Sequence, residues 1–120
     1  MKQRKPIVYV GIVTYNSAAL VPLCVAALLR QTYKNIRIVI FDNHSSDKIA
    51  SLMKRYPFIR FIQSLTNKGF GSGHNTIIHA VKLGTHDYYL ALNPDATLRP
   101  GYIAGLVLSV HTHGSGWATG

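Results

Sequence analysis

The sequence contains no glutamate, and its acidic residues are four aspartates at positions 42, 47, 87 and 95. They are outnumbered by 13 lysines and arginines, so the formal net charge is +9. A surface of this sign favours anionic ligands such as phosphorylated small molecules, nucleic acid or lipid headgroups, although a solvated basic face without a ligand fits equally well. Basic and aromatic residues are not interleaved on one predicted face, so we do not expect nucleic acid to be a partner.

Cysteine and long apolar runs are equally scarce. Cys24 is the single cysteine, so no internal disulfide can form, and the first residues do not have the pattern of a signal peptide. No run approaches the roughly 18 apolar residues that cross a bilayer. We therefore expect a cytoplasmic protein of one domain, with any membrane association peripheral and at the inner face of the membrane.

The motifs of several enzyme classes are absent. Glycines at 69, 71 and 73 resemble a dinucleotide loop, but that fingerprint belongs after the first strand, where this chain has no glycine. No Walker-type lysine follows them, there is no Gly-x-Ser-x-Gly elbow, and the six histidines lack the spacing of zinc ligands. These absences disfavour dehydrogenases, nucleotide triphosphatases, hydrolases and zinc enzymes.

The chain does show a regular alternation of strand and helix patterns. Apolar runs at 6–16, 36–41, 58–64 and 88–92 predict buried strands, and segments with apolar residues at helical spacing lie between them. Residues 65–73 are predicted to be a long loop, Gly84 to end the third helix in a left-handed conformation, and Pro100 to open a fourth helix. The predicted fold class is α/β, a three-layer αβα arrangement with a mostly parallel, Rossmann-like sheet.

Three loops follow the carboxyl ends of predicted strands, at residues 14–17, 42–47 and 93–95. In open α/β sheets ligands bind at this edge, and Asp42 and Asp95 reach it directly. Asp87 precedes the fourth strand and lies at the opposite end, whereas Asp47 is expected to cap the second helix. Pro94 cannot donate to a strand ladder, so the fourth strand must end before it.

Four segments in this order resemble family 2 glycosyltransferases, which are inverting enzymes of the GT-A fold. They read IVTYNS, FDNHSSD, NKGFGSGHN and LNPDA, and the similarity runs from about residue 7 to residue 101. The third and fourth segments are especially similar to the rhamnosyltransferase-type branch. The resemblance implies transfer of a sugar such as rhamnose from a UDP-type or dTDP-type donor to an acceptor hydroxyl in cell-envelope polysaccharide synthesis.

The resemblance also implies roles for single residues. Thr14 and Tyr15 match the strand end that lines the base pocket, and Asp42 matches the acid that binds the pyrimidine or its ribose. Asp95 matches the metal-binding position that other members write as Asp-x-Asp, which implies Mg²⁺ or Mn²⁺ as cofactor. The implied donor-binding residues are Thr14, Tyr15, Asn16, Asp42, Asn43, Asn67, Lys68, Gly69, Phe70, Asn75, Asn93 and Asp95.

Structural roles explain some of the same residues equally well. Asn43 and Asp47 fit Asx turns and a helix cap. The Asn-Pro-Asp segment at 93–95 would by itself be more typical of a turn, and only the three other motifs favour the metal-binding interpretation. His44 and His74 stand where the family pattern has small or apolar residues. They would either crowd the pocket or add hydrogen-bond donors that tune the choice of sugar.

No acid is left for a catalytic base once the four aspartates are assigned, so the catalytic residues stay unassigned. In the family the base and the acceptor-binding loops lie further along the chain. We therefore expect residues 1–120 to be a single nucleotide-sugar-binding domain, the N-terminal part of a longer glycosyltransferase domain. Its acceptor would be a saccharide or a lipid-linked molecule, and an exposed sheet edge predicts self-association into a homo-oligomer. The alternative is a nucleotide-sugar-binding module without transfer activity.

Overall fold

The computed structural model describes residues 5–113 and 117–119, with side chains described for residues 5–109. A 3-10 turn at Ala18–Leu20 leads into the first helix. The strands and helices follow in the order β1 (Val8–Thr14), α1 (Val21–Leu29), β2 (Ile36–Asp42), α2 (Ile49–Met53), β3 (Arg60–Gln63), α3 (Phe70–Val81), β4 (Tyr88–Leu92), α4 (Tyr102–His113) and β5 (Trp117–Thr119). In the described part of the chain, no helix is long and apolar enough to cross a membrane.

The five strands form one parallel sheet in the order β3-β2-β1-β4-β5. Strand β1 lies at the centre and pairs with β2 along its whole length, so that Thr14 is opposite Asp42. On its other side Ile12 is opposite Leu92, the last residue of β4. The chain runs outward from β1 to β3 and then returns to β4 across β1, which creates a switch point between β1 and β4.

Helices cover both faces of the sheet, so the predicted three-layer α/β arrangement is confirmed. On one face α1, α2 and α4 pack over β1 and β2 and form the larger core, and on the other face α3 packs over the alternate residues of these strands. The larger core includes Val8, Val10, Ile12, Val21, Cys24, Leu28, Ile40, Ile49, Met53 and Ile103, and the smaller core contains Val13, Val39, Phe41, Ile77 and Tyr89.

Cys24 lies in the larger core, where it is 2% exposed. Burial, and after it the nearby charge of Asp95, raises the pKa of the Cys24 thiol to about 11. The thiol therefore stays protonated and unreactive at neutral pH.

The long loop predicted for residues 65–73 ends at Gly69, because residues 70–73 already form the first turn of α3. Gly69 precedes the helix with a positive φ of 85°, and the Gly73 N–H donates to the Gly69 carbonyl at 3.2 Å. A Cβ atom on Gly73 would lie 2.8 Å from a methyl of Val13 and 3.1 Å from the Phe41 ring. Glycine at this position therefore lets the first turn of α3 lie directly on β1 and β2.

The end of α3 also differs from the prediction. Lys82, and not Gly84, adopts the left-handed conformation that ends the helix, with a φ of 52°. The Gly84 N–H instead donates to Asp87 at 3.0 Å, and the second carboxylate oxygen of Asp87 accepts from the Ile7 N–H at 3.1 Å. Asp87 thus fixes the turn that leads into β4, at the amino-terminal edge of the sheet, as predicted.

Replacing Gly73 with alanine should lower the free energy of unfolding by about 1 to 3 kcal/mol, because the added methyl overlaps Val13 and Phe41. Gly71 lies in the same turn, and a Cβ there would meet nothing within 4 Å. Gly71→Ala is therefore the matched control and should raise the stability by about 0.5 to 1 kcal/mol through helix propensity. Urea denaturation followed by circular dichroism measures both variants. Equal stabilities would show that α3 does not depend on this close approach.

Candidate functional site

A cleft of about 580 Å³ opens at the carboxyl ends of β1, β2 and β4. It lies at the switch point of the sheet, and its volume falls within the usual range of small-molecule sites. Its walls come from the loops after these three strands and from the start of α3. The lining residues are Val13, Tyr15, Ser17, Leu20, Asn43, Asn67, Gly69, Phe70, Asn93, Pro94 and Asp95.

The cleft brings together most, but not all, of the residues expected to bind a donor. Those that line it are Tyr15, Asn43, Asn67, Gly69, Phe70, Asn93 and Asp95. Thr14, Asn16, Asp42, Lys68 and Asn75 are not among the lining residues. Asn75 is exposed on α3, and the other four support the loops around the cleft. Their implied contacts with a donor stay predictions.

Asp42 is buried below the cleft, with 1% of its surface exposed. Its carboxylate accepts hydrogen bonds from the Thr14 hydroxyl at 2.7 Å and from the Ser45 N–H at 2.9 Å. The Ser45 hydroxyl donates to it as well. Asp42 therefore ties the end of β1 to the loop that follows β2. The described hydrogen bonds of the Asp42 carboxylate therefore all go to other residues of the protein.

The loops after β1 and β2 are also joined by Asn16 and Asp47. The Asn16 N–H donates to the Ser45 hydroxyl, and its side-chain carbonyl accepts from the Ser46 N–H, both at 2.8 Å. The Asp47 carboxylate accepts from the Ala18 N–H at 2.9 Å and from the N–H of Ile49 at 3.3 Å. Ile49 is the first residue of α2. Asp47 thus accepts from a backbone N–H at the start of α2, although Lys48 and not Asp47 occupies the N-cap position, and this wall of the cleft is held by a network of hydrogen bonds.

Asn43 connects this wall to the start of α3. It is 3% exposed, and its N–H donates to the Thr14 carbonyl at 2.8 Å. Its side-chain carbonyl accepts from the Lys68 N–H at 2.8 Å, so Lys68 supports the cleft through its backbone. Asn67 forms an Asx turn, in which its side chain accepts from the Gly69 N–H at 2.9 Å.

Asp95 is exposed at the mouth of the cleft, in a turn closed by the Ala96 N–H and the Asn93 carbonyl at 3.0 Å. The turn and the ligand interpretations of this segment are compatible, because the turn presents the carboxylate. Among the described residues, no group of three or more His, Cys, Asp or Glu side chains could hold a metal ion. The cleft instead offers one carboxylate and the amide oxygens of Asn93 and Asn67, which are hard oxygen donors. This set fits Mg²⁺ or Mn²⁺ only if the bound ligand contributes further oxygens.

Neither unexpected histidine lines the cleft, so neither crowds it. His44 is exposed in the loop after β2 with a positive φ of 69°. His74 is buried between α3 and the sheet, with its Nδ1 atom 2.6 Å from the Tyr89 hydroxyl. Burial lowers the pKa of the His74 imidazole.

Sequence reasoning missed part of the lining. Ser17 and Pro94 lie inside segments that are predicted to reach this edge of the sheet, but neither is predicted to line a cleft. Val13 and Leu20 are apolar, and neither carries a pattern that distinguishes a cleft wall from a core position.

Comparison with known proteins places this geometry in a family. The family model for glycosyl transferase family 2 matches residues 9–120. Chondroitin synthase of Escherichia coli is 34% identical over 102 residues, which cover 82% of this chain and 14% of that protein. An uncharacterized protein of Mycobacterium tuberculosis is 30% identical over 105 residues, covering 85% of this chain and 32% of that protein.

Solved structures share the fold. The crystal structure of S. aureus TarS 1-349 matches with a TM-score of 0.75 at 21% identity, covering 90% of this chain and 33% of that chain. The mannosyltransferase PcManGT from Pyrobaculum calidifontis, in complex with GDP-Man and Mn²⁺, matches with a TM-score of 0.68 at 22% identity. The match covers 78% of this chain and 29% of that chain. The chain thus spans no more than 33% of the length of these proteins.

Replacing Asp42 with asparagine should lower the free energy of unfolding by about 1 to 3 kcal/mol, because an amide cannot accept at both carboxylate positions. Asp95→Asn removes an exposed carboxylate in the same region and should change the stability by less than about 0.5 kcal/mol. Urea unfolding curves of the two variants measure the difference. If Asp42→Asn is as stable as Asp95→Asn, the buried network does not hold this edge.

Proposed function

The chain belongs to glycosyl transferase family 2, and we propose that its cleft binds the nucleoside diphosphate sugar that serves as donor. One observation carries this proposal. The loops after β1, β2 and β4 and the start of α3 converge on a single cleft at the switch point of a parallel sheet. Ligands bind at this position in folds of this class.

The walls of the cleft match the parts of such a donor. Tyr15 and Phe70 are each 53% exposed and offer aromatic faces on which a nucleobase can stack. Asn43, Asn67 and Asn93 add amide groups that can hydrogen-bond a base or ribose. The net charge of +9 favours approach of the anionic diphosphate.

We propose a pyrimidine donor of UDP or dTDP type, with dTDP-rhamnose as the first sugar to test because of the rhamnosyltransferase-like motifs. Solved structures of TarS 1-349 contain UDP and UDP-GlcNAc, which supports a pyrimidine. PcManGT, in contrast, was solved with GDP-Man, so a guanosine donor is the direct competitor.

Asp95, with the amide oxygens of Asn93 and Asn67, would hold a divalent cation together with the donor diphosphate. The presence of Mn²⁺ in the PcManGT complex supports this assignment. A cation there would offset the charge that develops on the departing diphosphate.

In the proposed reaction the acceptor hydroxyl oxygen bonds to the anomeric carbon while the bond from that carbon to the diphosphate oxygen breaks. The electron pair leaves with the nucleoside diphosphate, and the hydroxyl proton passes to a base. Three of the four aspartates of this chain are engaged with backbone N–H groups, namely Asp42, Asp47 and Asp87. The fourth, Asp95, is assigned to the cation.

We therefore propose that transfer requires residues outside this chain, and that the chain is the donor-binding part of a longer glycosyltransferase domain. The proposed acceptor is a saccharide or lipid-linked saccharide of envelope polysaccharide synthesis, consistent with the identity to chondroitin synthase. The basic surface would place the enzyme peripherally at the inner membrane face.

The same shortage of a base favours the second candidate, a nucleotide-sugar-binding module without transfer activity. For both candidates, the chain incubated with labelled nucleotide sugars and a panel of acceptors should yield no glycosylated product. Efficient transfer would show that one of the four aspartates or a histidine serves as the base, and would contradict the proposed division of the enzyme.

Isothermal titration calorimetry tests donor binding most simply. We expect UDP or dTDP to bind the chain more tightly with Mn²⁺ than with EDTA, because the cation links Asp95 to the diphosphate. Asp95→Ala should bind with the same affinity in both conditions. His86→Ala, an exposed change at the opposite edge of the sheet, should behave as the unaltered chain does.

The possible failures are distinct. Equally tight binding in EDTA would make Asp95 a turn residue only. Absence of binding by UDP, dTDP and GDP in either condition would contradict the donor site itself.

A further inference from the structure

A buried polar pair lies beneath the rim of the cleft, between α3 and the sheet. His74 is 7% exposed and Tyr89 is 1% exposed, and the imidazole Nδ1 and the tyrosine hydroxyl are 2.6 Å apart. The other imidazole nitrogen, Nε2, is buried and has no hydrogen-bond partner among the described residues. The other buried residues of this layer are apolar and include Val13, Val39 and Ile77. A polar contact in such surroundings needs an explanation beyond packing.

Space for the pair is built into the sheet. A Cβ atom on Gly11 of β1 would lie within 1.8 Å of the Tyr89 hydroxyl oxygen, so only glycine lets the tyrosine ring cross over β1. Gly73, the residue before His74, makes the corresponding close approach from the helix side. Two glycines on facing elements thus admit the contact between β4 and α3.

The pair reaches the cleft through Phe70. This residue is the first of α3, lines the cleft and is 53% exposed. Its ring contacts the His74 imidazole edge to face, with ring centroids 4.6 Å apart. His74 follows Phe70 by one helical turn, so the orientation of the imidazole determines the support under the phenylalanine ring.

We propose that the hydrogen bond between His74 and Tyr89 positions Phe70 and the first turn of α3 at the rim of the cleft, so that donor affinity depends on a neutral His74. The proposal rests on the proposed donor site and adds a positioning pair to it. His74 is a positioning residue and does not touch the donor.

The neutral imidazole fits this environment and the protonated one does not. A neutral ring shares one hydrogen with the Tyr89 hydroxyl and carries no charge, whereas a protonated ring needs an acceptor at Nε2, where none is described. Burial correspondingly lowers the pKa of His74 and raises the pKa of Tyr89, so the tyrosine stays protonated.

The stability that His74 contributes decreases as the pH falls. An unfolded histidine titrates at about pH 6.5, and the folded pKa of His74 lies below this value. The stability contributed by the neutral ring is therefore complete above about pH 6.5 and is lost as the pH falls toward the folded pKa. As the pH falls, any motion that exposes the imidazole to water becomes more favourable. Such a motion would move the imidazole away from the Phe70 ring that it supports.

Few other charges act on His74. Besides Tyr89 of β4, the sheet contributes Tyr9 of β1 to this layer, while β2 contributes only apolar side chains to it. Arg60 of β3 donates to the Ala80 carbonyl, near the opposite end of α3. On the helix itself His79 is exposed. Burial is the cause of the lowered pKa, with no contribution from a neighbouring charge.

The test compares donor affinity between about pH 8 and about pH 5 for matched variants. His74→Gln keeps a hydrogen-bonding amide but does not titrate, and Tyr89→Phe removes only the hydroxyl. His79→Gln removes an exposed histidine from the same helix and is the control. Protonation of the nucleotide itself is common to all of them.

We expect the affinity of the unaltered chain and of His79→Gln to fall by about fivefold more on acidification than the affinity of His74→Gln. Tyr89→Phe should weaken binding at about pH 8 by a similar factor of about five. Urea unfolding verifies that each variant is folded. The same pH profile for His74→Gln and His79→Gln, or full affinity of Tyr89→Phe, would overturn the proposal.

A second measurement needs no donor. In nuclear magnetic resonance spectra without nucleotide, the amide signals of residues 70–73 should shift with pH in the unaltered chain and in His79→Gln, but not in His74→Gln. If these shifts occur while no nucleoside diphosphate binds, the proposed function fails and the positioning of the turn stands. If they do not depend on His74, the positioning proposal fails whatever binds.

Discussion

The parallel pairing of β1 with both β2 and β4 is the constraint on which the site depends. Its register places Thr14 beside Asp42 and Ile12 beside Leu92, so three strands end at the same edge of the sheet. Because the chain leaves β1 on one side and returns on the other, the loops that follow diverge and leave a cleft between them. The residues at its mouth are far apart in sequence and meet only through this register.

The four aspartates have different roles at the carboxyl edge and at the amino-terminal edge of the sheet. Asp42 and Asp47 are used to connect loops, and Asp87 fixes the turn before β4. Only Asp95 is presented to solvent at the cleft. Loops joined by hydrogen bonds and a single exposed carboxylate suit a site that binds an anionic ligand with the help of a cation, and they offer little for proton transfer. These residues therefore suit donor binding, and none of the four aspartates is left to serve as a base.

Much of the architecture could be predicted from the sequence, because buried strands and amphipathic helices leave local patterns. The start of α3 could not, since glycine is a poor helix former and the helical turn at residues 70–73 packs on the sheet through the close approach of Gly73 to Val13 and Phe41. Local sequence patterns also could not predict the direction in which the Asp42 side chain points. A carboxylate at the end of a strand can point into the cleft or into the loop that follows the strand. The conformation of that loop decides between the two, and in this protein the loop has His44 at a positive φ. The motif around His74 predicts a residue at the pocket, whereas the imidazole is buried against Tyr89, for which Gly11 leaves space although it is far away in sequence.

We propose that the carboxyl edge of β1, β2 and β4 is the donor site. A nuclear magnetic resonance titration of the isotopically labelled chain with UDP, first with Mg²⁺ and then with traces of Mn²⁺, tests it most directly. If UDP binds at this edge, the amide signals of Tyr15, Asn43, Gly69 and Phe70 should shift, and paramagnetic broadening should be centred on Asp95. Shifts confined to another part of the molecule, such as the groove lined by Leu29, Arg37 and Phe58, would contradict it.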